Sequence, residues 1–442
     1  MKRSLSLVIL ALILTLSANA QLQKINTFAG TGTAGYNGDG GAATGKQLNG
    51  PYSVAVDAAG NVYVVDFFSL RVRKVATNGV ITTVAGTGSL GYTGDGSIAT
   101  SANLHPHAVT VDKTGNIYIV DGTYGVVRKV TPLGFITTIA GNGINGYTGD
   151  NGPALGAMLN RPHGITIDSK GRIIIADAAN EMVRRIDAAG VITKIAGSGI
   201  KGYSGDGALA VSAQLDSPFA VTTDRKGSIY VADMLNHAVR KIDTFGIITT
   251  YAGTGVAGYT GDNGAAALAT LDGPAGLTTD SIGNLYIADA NNNVIRKVDT
   301  FGVITTAVGN GTPGFGGDLG YVNGANLRQP YDVAIDAAGS LYIADASNHR
   351  IRKTYATVGI TATTGAGIEV YPNPAGPSVY ISGTAAGDHI ALFNLVGQQV
   401  SSAAAGNSEV ELSVKQLPAG MYLLQVTDAA NNIKTITKLV KE

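Results

Sequence analysis

Residues 107–139 read H-A-V-T-V-D-K-T-G-N-I-Y-I-V-D-G-T-Y-G-V-V-R-K-V-T-P-L-G-F-I-T-T-I, and this stretch decides the fold. The runs at 108–111 and 116–120 are short and rich in β-branched and aromatic residues. Asp112-Lys113-Thr114-Gly115 between them has the composition of a hairpin turn. Residues 126–130 alternate, and Thr131-Pro132-Leu133-Gly134 turns the chain into 135–139. The unit is therefore four antiparallel strands with no helical periodicity. A lone four-stranded sheet has two apolar faces and cannot bury both, so such units must stack.

The unit recurs. Asp66, Asp121, Asp177, Asp233, Asp289 and Asp345 follow one another at spacings of 55, 56, 56, 56 and 56 residues. Nine residues before each stands a second aspartate, from Asp57 to Asp336, and seven after each begins a basic pair, from Arg73-Lys74 to Arg352-Lys353. Upstream lies an aromatic-x-Gly-Asp loop, from Tyr36–Asp39 (Y-N-G-D) to Phe315–Asp318 (F-G-G-D). Four strands per repeat, arranged radially, make a β-propeller. The first outer-strand segment, 25–29, has no inner strands before it. The last inner strands, 331–355, are followed only by a poor outer copy at 357–363. The N-terminal strand is thus expected to complete the sixth blade and leave no open sheet edge.

These residues resemble the NHL family of propellers. The family's pattern appears as P-Y-D-V-A-I-D-A-A-G-S-L-Y-I-A-D-A-S-N-H-R over 330–350, with Asn348-His349-Arg350-Ile351 the motif that names it. The loop T-F-A-G-T-G at 27–32 with G-Y-N-G-D-G at 35–40 is similar to the bacterial NHL subgroup and to the propeller of teneurins.

Composition narrows the function classes. Glycine supplies 61 of 442 residues, about twice the usual ~7%. Charged residues are only 14% of the chain. There is no cysteine, which excludes disulfide scaffolds, cysteine zinc sites and thiolate nucleophiles. The 31 basic and 31 acidic residues balance, so no nucleic-acid footprint shows in the composition. Lys2 and Arg3, the apolar run 7–16 and Ala18-Asn19-Ala20 form a secretory signal peptide over 1–20, and no later segment has membrane-spanning length.

After residues 21–357, expected to be the propeller, 358–367 is a linker of small residues and 368–442 changes character. Strand-like runs at 378–382, 390–395, 398–402, 409–414, 421–427 and 434–441 point to a small antiparallel β-sandwich. The whole chain is thus expected to be all-β. The tail resembles the C-terminal sorting domain of the type IX secretion system. The likeness rests on Tyr371-Pro372-Asn373-Pro374, on L-F-N-L-V-G-Q-Q-V at 392–400, on L-P-A-G-M-Y-L-L-Q-V at 417–426 with Gly420 and Tyr422, and on Lys438. It implies a Bacteroidetes-type cell, passage through the periplasm, and delivery to the medium or outer cell surface by the type IX machinery acting on 368–442.

The repeat also filters candidate functional residues. A residue present in every blade serves folding, whereas one ligand meets only some blades. The Asp66 series can accept backbone N–H groups of the next turn, the Asp57 series fits Asx turns, and the Arg73 series lies within reach of a carboxylate. One aspartate per glycine-rich loop falls far short of a calcium site. Departures from the repeat are more telling. The residue after the inner-strand proline reads Tyr52, His107, His163, Phe219, Ala275 and Tyr331, a set expected to ring the mouth of a central channel with His105 beside it. Such rings bind by stacking and hydrogen bonding, or else they plug the channel. His105, His107 and His163 could begin a zinc site, which needs at least three protein ligands. His237 and His349 belong to the repeat motif. Glu181, alone, cannot make a glycosidase pair, and G-x-S-x-G, P-loop and H-E-x-x-H motifs are absent. The reading is a non-enzymatic interaction module for an extracellular glycan, peptide or protein, with no resident cofactor. The alternative is a secreted lyase or lactonase with a metal at the channel mouth.

Overall fold

The computed structural model describes residues 23–356, 368–371, 373, 375–394, 398–430 and 433–441. The expected signal peptide, the poor strand copy at 357–363 and the linker lie outside the described residues. Two compact units emerge, Gln23–Tyr355 and a second that contains the strands after 368. Among the described residues there is no α-helix, only single 3-10 turns between strands.

The first unit is a propeller-like arrangement of six antiparallel sheets. Blade one comprises Pro51–Val56, Val62–Asp66, Arg71–Val75 and Ile81–Ala85. The same four-strand order recurs in blades two to five, which begin at Pro106, Pro162, Pro218 and Pro274. In blade six, Pro330–Ile335, Leu341–Asp345 and Arg350–Ala356 are joined by Gln23–Ala29 as the outer strand. The six inner strands touch in cyclic order, the last against the first. Apolar clusters fill each seam between blades. Val54, Val62 and Ile81 of blade one meet Tyr342, Ala344 and Ile351 of blade six around Ala29. Ile25, fully buried, packs with blade-five residues Ala288, Ile295 and Val308. The N-terminal strand therefore contributes to two seams.

One charged device recurs inside every blade. Arg73, Arg128, Arg184, Arg240, Arg296 and Arg352 are fully buried. Each pairs with the aspartate of its own aromatic-x-Gly-Asp loop at 2.6 to 2.9 Å. The loop's aromatic ring covers the guanidinium at 4.8 to 5.3 Å. In five blades the other side of the guanidinium meets the second-strand aspartate at 3.3 to 3.6 Å. The glycine-rich loop is thus a lid on a buried cation.

The second-strand aspartates reach upstream, to a partner their sequence position did not suggest, while Asp121 also accepts the expected next-turn N–H, that of Tyr124. Asp66 accepts the N–H of Asn49, and Asp121, Asp177, Asp233, Asp289 and Asp345 accept those of His105, Asn160, Asp216, Asp272 and Arg328. These donors precede the inner strand, so the carboxylate fixes the chain as it enters the blade. Burial pushes the Asp66 carboxyl up to about 6 and that of Asp121 up to about 7. The Asp57 series does form Asx turns, Asp57 accepting the N–H groups of Ala59 and Asn61.

Latches join most neighbouring blades. Leu70, Glu181, His237, Asn293 and His349 all have left-handed backbone, with φ from 48° to 57°. The carbonyl at this corner lies so close to the first glycine of the next outer strand's exit that a Cβ on Gly30 would sit 2.3 Å from His349 O. Four of these side chains accept an N–H from the next blade: Glu181 from Ser217, His237 from Gly273, Asn293 from Gln329 and His349 from Gly50. Leu70 has no acceptor, and Gly125, at the same corner of blade two, has no side chain.

In the second unit, Glu369–Tyr371, Ser378–Ser382 and Glu409–Ser413 form one sheet. His389–Phe393, Gln399–Ala404, Gly420–Thr427 and Ile433–Lys441 form another. Val379, Ile381, Ile390, Leu392, Leu424 and Val426 share a core between them, the small sandwich expected.

Deleting residues 21–30 removes an outer strand, its ladder and two buried side chains. A loss of about 5 kcal/mol or more follows from that burial and those hydrogen bonds. The melting temperature of the truncated chain should fall by about 10 °C or more. A shift of only a few degrees by calorimetry would mean that another segment fills the place.

Candidate binding site at the channel mouth

The six inner strands start on the face that carries the long outer-to-inner connections. Side chains at their second position converge there. Tyr331 stacks on Tyr52 (4.5 Å between centroids, 14°), and Tyr52 stacks on Phe67 (4.3 Å, 17°). Phe67 meets His107 edge-on at 5.0 Å, and His107 meets His163 the same way at 5.0 Å. His163 stacks on Phe219 (4.3 Å, 22°), which lies 6.2 Å from Tyr331. The rings thus form a loop that passes over Ala275, which is fully buried. His105 stands outside it, 4.7 Å from Phe67 and 4.9 Å from His107.

These groups carry little charge near neutral pH. Burial, then the neighbouring His163, drives His107 down to about 3, and burial with Arg161 drives His163 to about 4. Burial and Tyr331 push the Tyr52 phenol up, and burial lowers His105. The Nδ1 of His107 lies 2.9 Å from the His105 carbonyl and 3.1 Å from the Gly122 N–H. It can serve only one of them at a time, which ties its tautomer to the blade-two backbone. His105 Nδ1 contacts the Thr123 hydroxyl.

Beneath the rings the channel is lined by the inner strands of all six blades. Its cavity volume is ≈ 190 Å³, below the roughly 300–1,000 Å³ of sites that enclose small molecules. A ligand of ordinary size must therefore rest on the mouth. One carboxylate lines this channel. Asp332 accepts the N–H groups of Val54 (3.0 Å) and Val333 (2.8 Å) and the Ser53 hydroxyl, and Ser53 Oγ accepts from Val109 N–H at 3.3 Å. Burial outweighs these bonds and pushes the Asp332 carboxyl up to about 6. Gly276 must lack a side chain here, because a Cβ would lie 2.4 Å from Asp332 Cα.

The structure brings Tyr52, His107, His163, Phe219 and Tyr331 together, with His105 at the rim. Phe67, Ser53 and Asp332 were missed by sequence reasoning. Phe67 occupies a position that reads Gly122, Ala178, Met234, Ala290 and Ala346 in the other blades, and Asp332 one that reads Ser53, Ala108, Gly164, Ala220 and Gly276. Comparing those two columns would have found both. Among the described residues no three His, Asp or Glu side chains are grouped so as to hold a metal ion, so the donors for a zinc at the mouth do not fit. Glu181 acts as an inter-blade latch, with Lys201 at 3.7 Å.

In the tail, Tyr371 is exposed and closes its strand, and Asn373 Oδ1 accepts the Val440 N–H at 2.9 Å. Gly420 opens the strand in which buried Tyr422 donates its hydroxyl to Pro418 O at 2.8 Å. Lys438 pairs in register with Leu423. Pro372, Pro374 and the Lys438 side chain lie outside the described residues.

Known proteins agree with both parts. Residues 369–442 match the family described as "Secretion system C-terminal sorting domain". Residues 21–93, 144–204 and 255–315 match "Teneurin NHL domain", and 327–353 match "NHL repeat". The chain thus carries NHL repeats followed by a type IX sorting domain. Mouse teneurin-4 is 28% identical over 354 residues, which is 71% of this chain but only 12% of teneurin-4. Two solved structures share the fold. An auxiliary nutrient binding protein of Bacteroides thetaiotaomicron has a TM-score of 0.55 at 16% identity, covering 75% of this chain and 76% of that one. A gluconolactonase of Xanthomonas campestris has a TM-score of 0.50 at 13% identity, covering 77% and 93%.

His163 gives a pH test. Its folded-state value lies below the ordinary ~6.5 of an unfolded imidazole, so its contribution to stability is complete above that value and is lost as pH falls toward 4. His163→Phe, which repeats the residue at Phe219, removes this loss. The melting temperature of the variant should drop less between pH 7 and pH 4.5 than that of the wild type. Equal drops in the two proteins would mean that His163 is not held neutral by burial.

Proposed function

We propose that this chain is an exported six-bladed propeller, closed by its N-terminal strand, that captures a neutral ring-bearing ligand on the aromatic mouth of its channel. The observation that carries this reading is the loop of Tyr52, Phe67, His107, His163, Phe219 and Tyr331. Its imidazoles are kept neutral by burial, so it offers π-faces and hydrogen bonds without net charge, a surface suited to a sugar or an aromatic group of a glycan, peptide or protein. The channel is too small to enclose such a ligand, which favours surface capture over sequestration.

A second reading draws on the solved structures that share the fold, to which a gluconolactonase belongs, and they lean toward it. Asp332 supports it independently. A carboxyl raised to about 6 sits near the value that suits a general acid or base at neutral pH. In that reading the chain is a lyase or lactonase, and Asp332 and Ser53 move the proton beneath the mouth.

For export, the signal peptide takes residues 21–442 to the periplasm, and 368–442 hands the propeller to the type IX machinery for release or surface display. Removal of 369–442 should leave a folded propeller in the periplasm, as read by cell fractionation. Equal amounts of tailless protein outside the cell would sink the sorting role.

Binding and catalysis separate on variants. The mature protein is screened against a glycan array and against lactone and ester substrates. Capture is expected to weaken by about tenfold or more in Tyr52→Ala and His163→Ala, while Asp332→Asn leaves it intact. If turnover is found and Asp332→Asn abolishes it, the enzymatic reading replaces capture.

A further inference from the structure

The geometry points to a second site, for a small polyanion, in the groove between blades three and four on the face opposite the channel mouth. The groove has a volume of ≈ 520 Å³ and is lined by Lys170, Arg172, Arg185, Lys194, Arg225 and Lys226. Asp168 and Asp243 are the two carboxylates that line it. A chain with equal numbers of acidic and basic residues thus concentrates cations in one cleft of ligand-binding size.

Both carboxylates are already engaged. Asp168 accepts the N–H groups of Lys170 and Arg172 and pairs with Arg172 Nε at 2.6 Å. Asp243 accepts the N–H groups of Phe245 and Ile247 at 2.9 Å. Asp187, at the next turn, faces Arg185 and likewise accepts two backbone N–H groups. Arg185 sits under burial and the like charge of Arg172, an arrangement that an incoming oxyanion would relieve.

Blade three differs from the other five at the positions that create this charge. Where they carry Tyr63, Tyr118, Tyr230, Tyr286 and Tyr342, it has Ile174. In those blades a lysine lies over the tyrosine ring at 4.7 to 5.8 Å. Blade three replaces that lysine with Arg185 and has no ring to occupy it. Arg172 stands where the others have asparagine or serine, and Lys194 where all five have threonine. By the logic of the repeat, such departures serve something one groove meets and the others do not. Planar guanidinium groups from Arg172, Arg185 and Arg225 suit bidentate contact with carboxylate or phosphate, and lysines add point charges around them. The ligand class is a compact molecule with two or more oxyanions, either an acidic sugar or a phosphorylated small molecule.

Reverting blade three toward the repeat tests this without threatening the fold, since the other blades tolerate the reverted residues. Calorimetric titration of the mature chain uses trigalacturonate and tripolyphosphate as separate probes. Binding of at least one is expected at low salt and should weaken steeply by about 0.3 M salt. The pair Arg172→Asn and Lys194→Thr should lower affinity by about tenfold or more, with an unchanged melting temperature. Lys129→Ala in blade two and His163→Ala at the channel mouth should leave it unaltered. Binding of trigalacturonate alone assigns an acidic sugar, of tripolyphosphate alone a phosphorylated ligand, and of both a general oxyanion site. Absence of binding by either probe, or binding that the double variant does not change, overturns the proposal. So does tighter binding of single-stranded RNA than of both probes.

Discussion

A buried guanidinium at the centre of each blade is the constraint on which the rest of the unit depends. Taking an ion out of water costs several kcal/mol unless its partners are complete. Here the partners come from three places: a carboxylate of the second strand, a carboxylate of the entering loop and the aromatic ring of that loop. Satisfying the arginine therefore folds about twenty residues of glycine-rich connection onto the sheet. Those long connections form the face on which the channel mouth opens. The position of the candidate site is a consequence of how the chain neutralises an internal charge.

Blade two is the exception that shows the rule. Asp121 accepts the N–H of His105 at 2.9 Å and that of Tyr124 at 3.3 Å, and Arg128 is held from the loop side, by Asp95 and the Thr93 carbonyl. Nε and Nη1 of Arg128 lack a hydrogen-bond partner, as do those of Arg73 in blade one. The corners of blades one and two also lack the acceptor that latches later blades. The histidines His105, His107 and His163 fall in this region. Blades one and two give up parts of the shared frame beside the place where the mouth becomes chemically distinctive, a pattern expected of sites that work at some cost to stability.

Much of this was legible in the residues. Six-fold recurrence of four landmarks fixed the strands and the blade count, because a repeat shows its period without any knowledge of packing. The mouth residues were legible because one column of the repeat varies among aromatic and imidazole types. The partner of the Asp66 series was not, since the bonded N–H lies seventeen residues upstream and no local turn pattern signals it. Phe67 and Asp332 escaped because each is the one aromatic or the one charged residue in its column, and no local motif marks either. Charge balance over the whole chain concealed the basic groove, which exists only when the turns of two blades are brought side by side.

The claim that the loop lid and the buried arginine form one coupled unit can be measured directly with a double-mutant cycle on Arg240 and Asp206. The variants are Arg240→Met, Asp206→Asn and the combination, each unfolded in denaturant. Removing the buried guanidinium should cost about 3–5 kcal/mol, and Asp206→Asn less, because half of that carboxylate is exposed to solvent. The two changes together should cost less than their sum by about 1.5 kcal/mol or more, since contacting residues couple on that scale. Additivity within about 0.5 kcal/mol would contradict the account, because the lid would then be held by something other than the guanidinium beneath it.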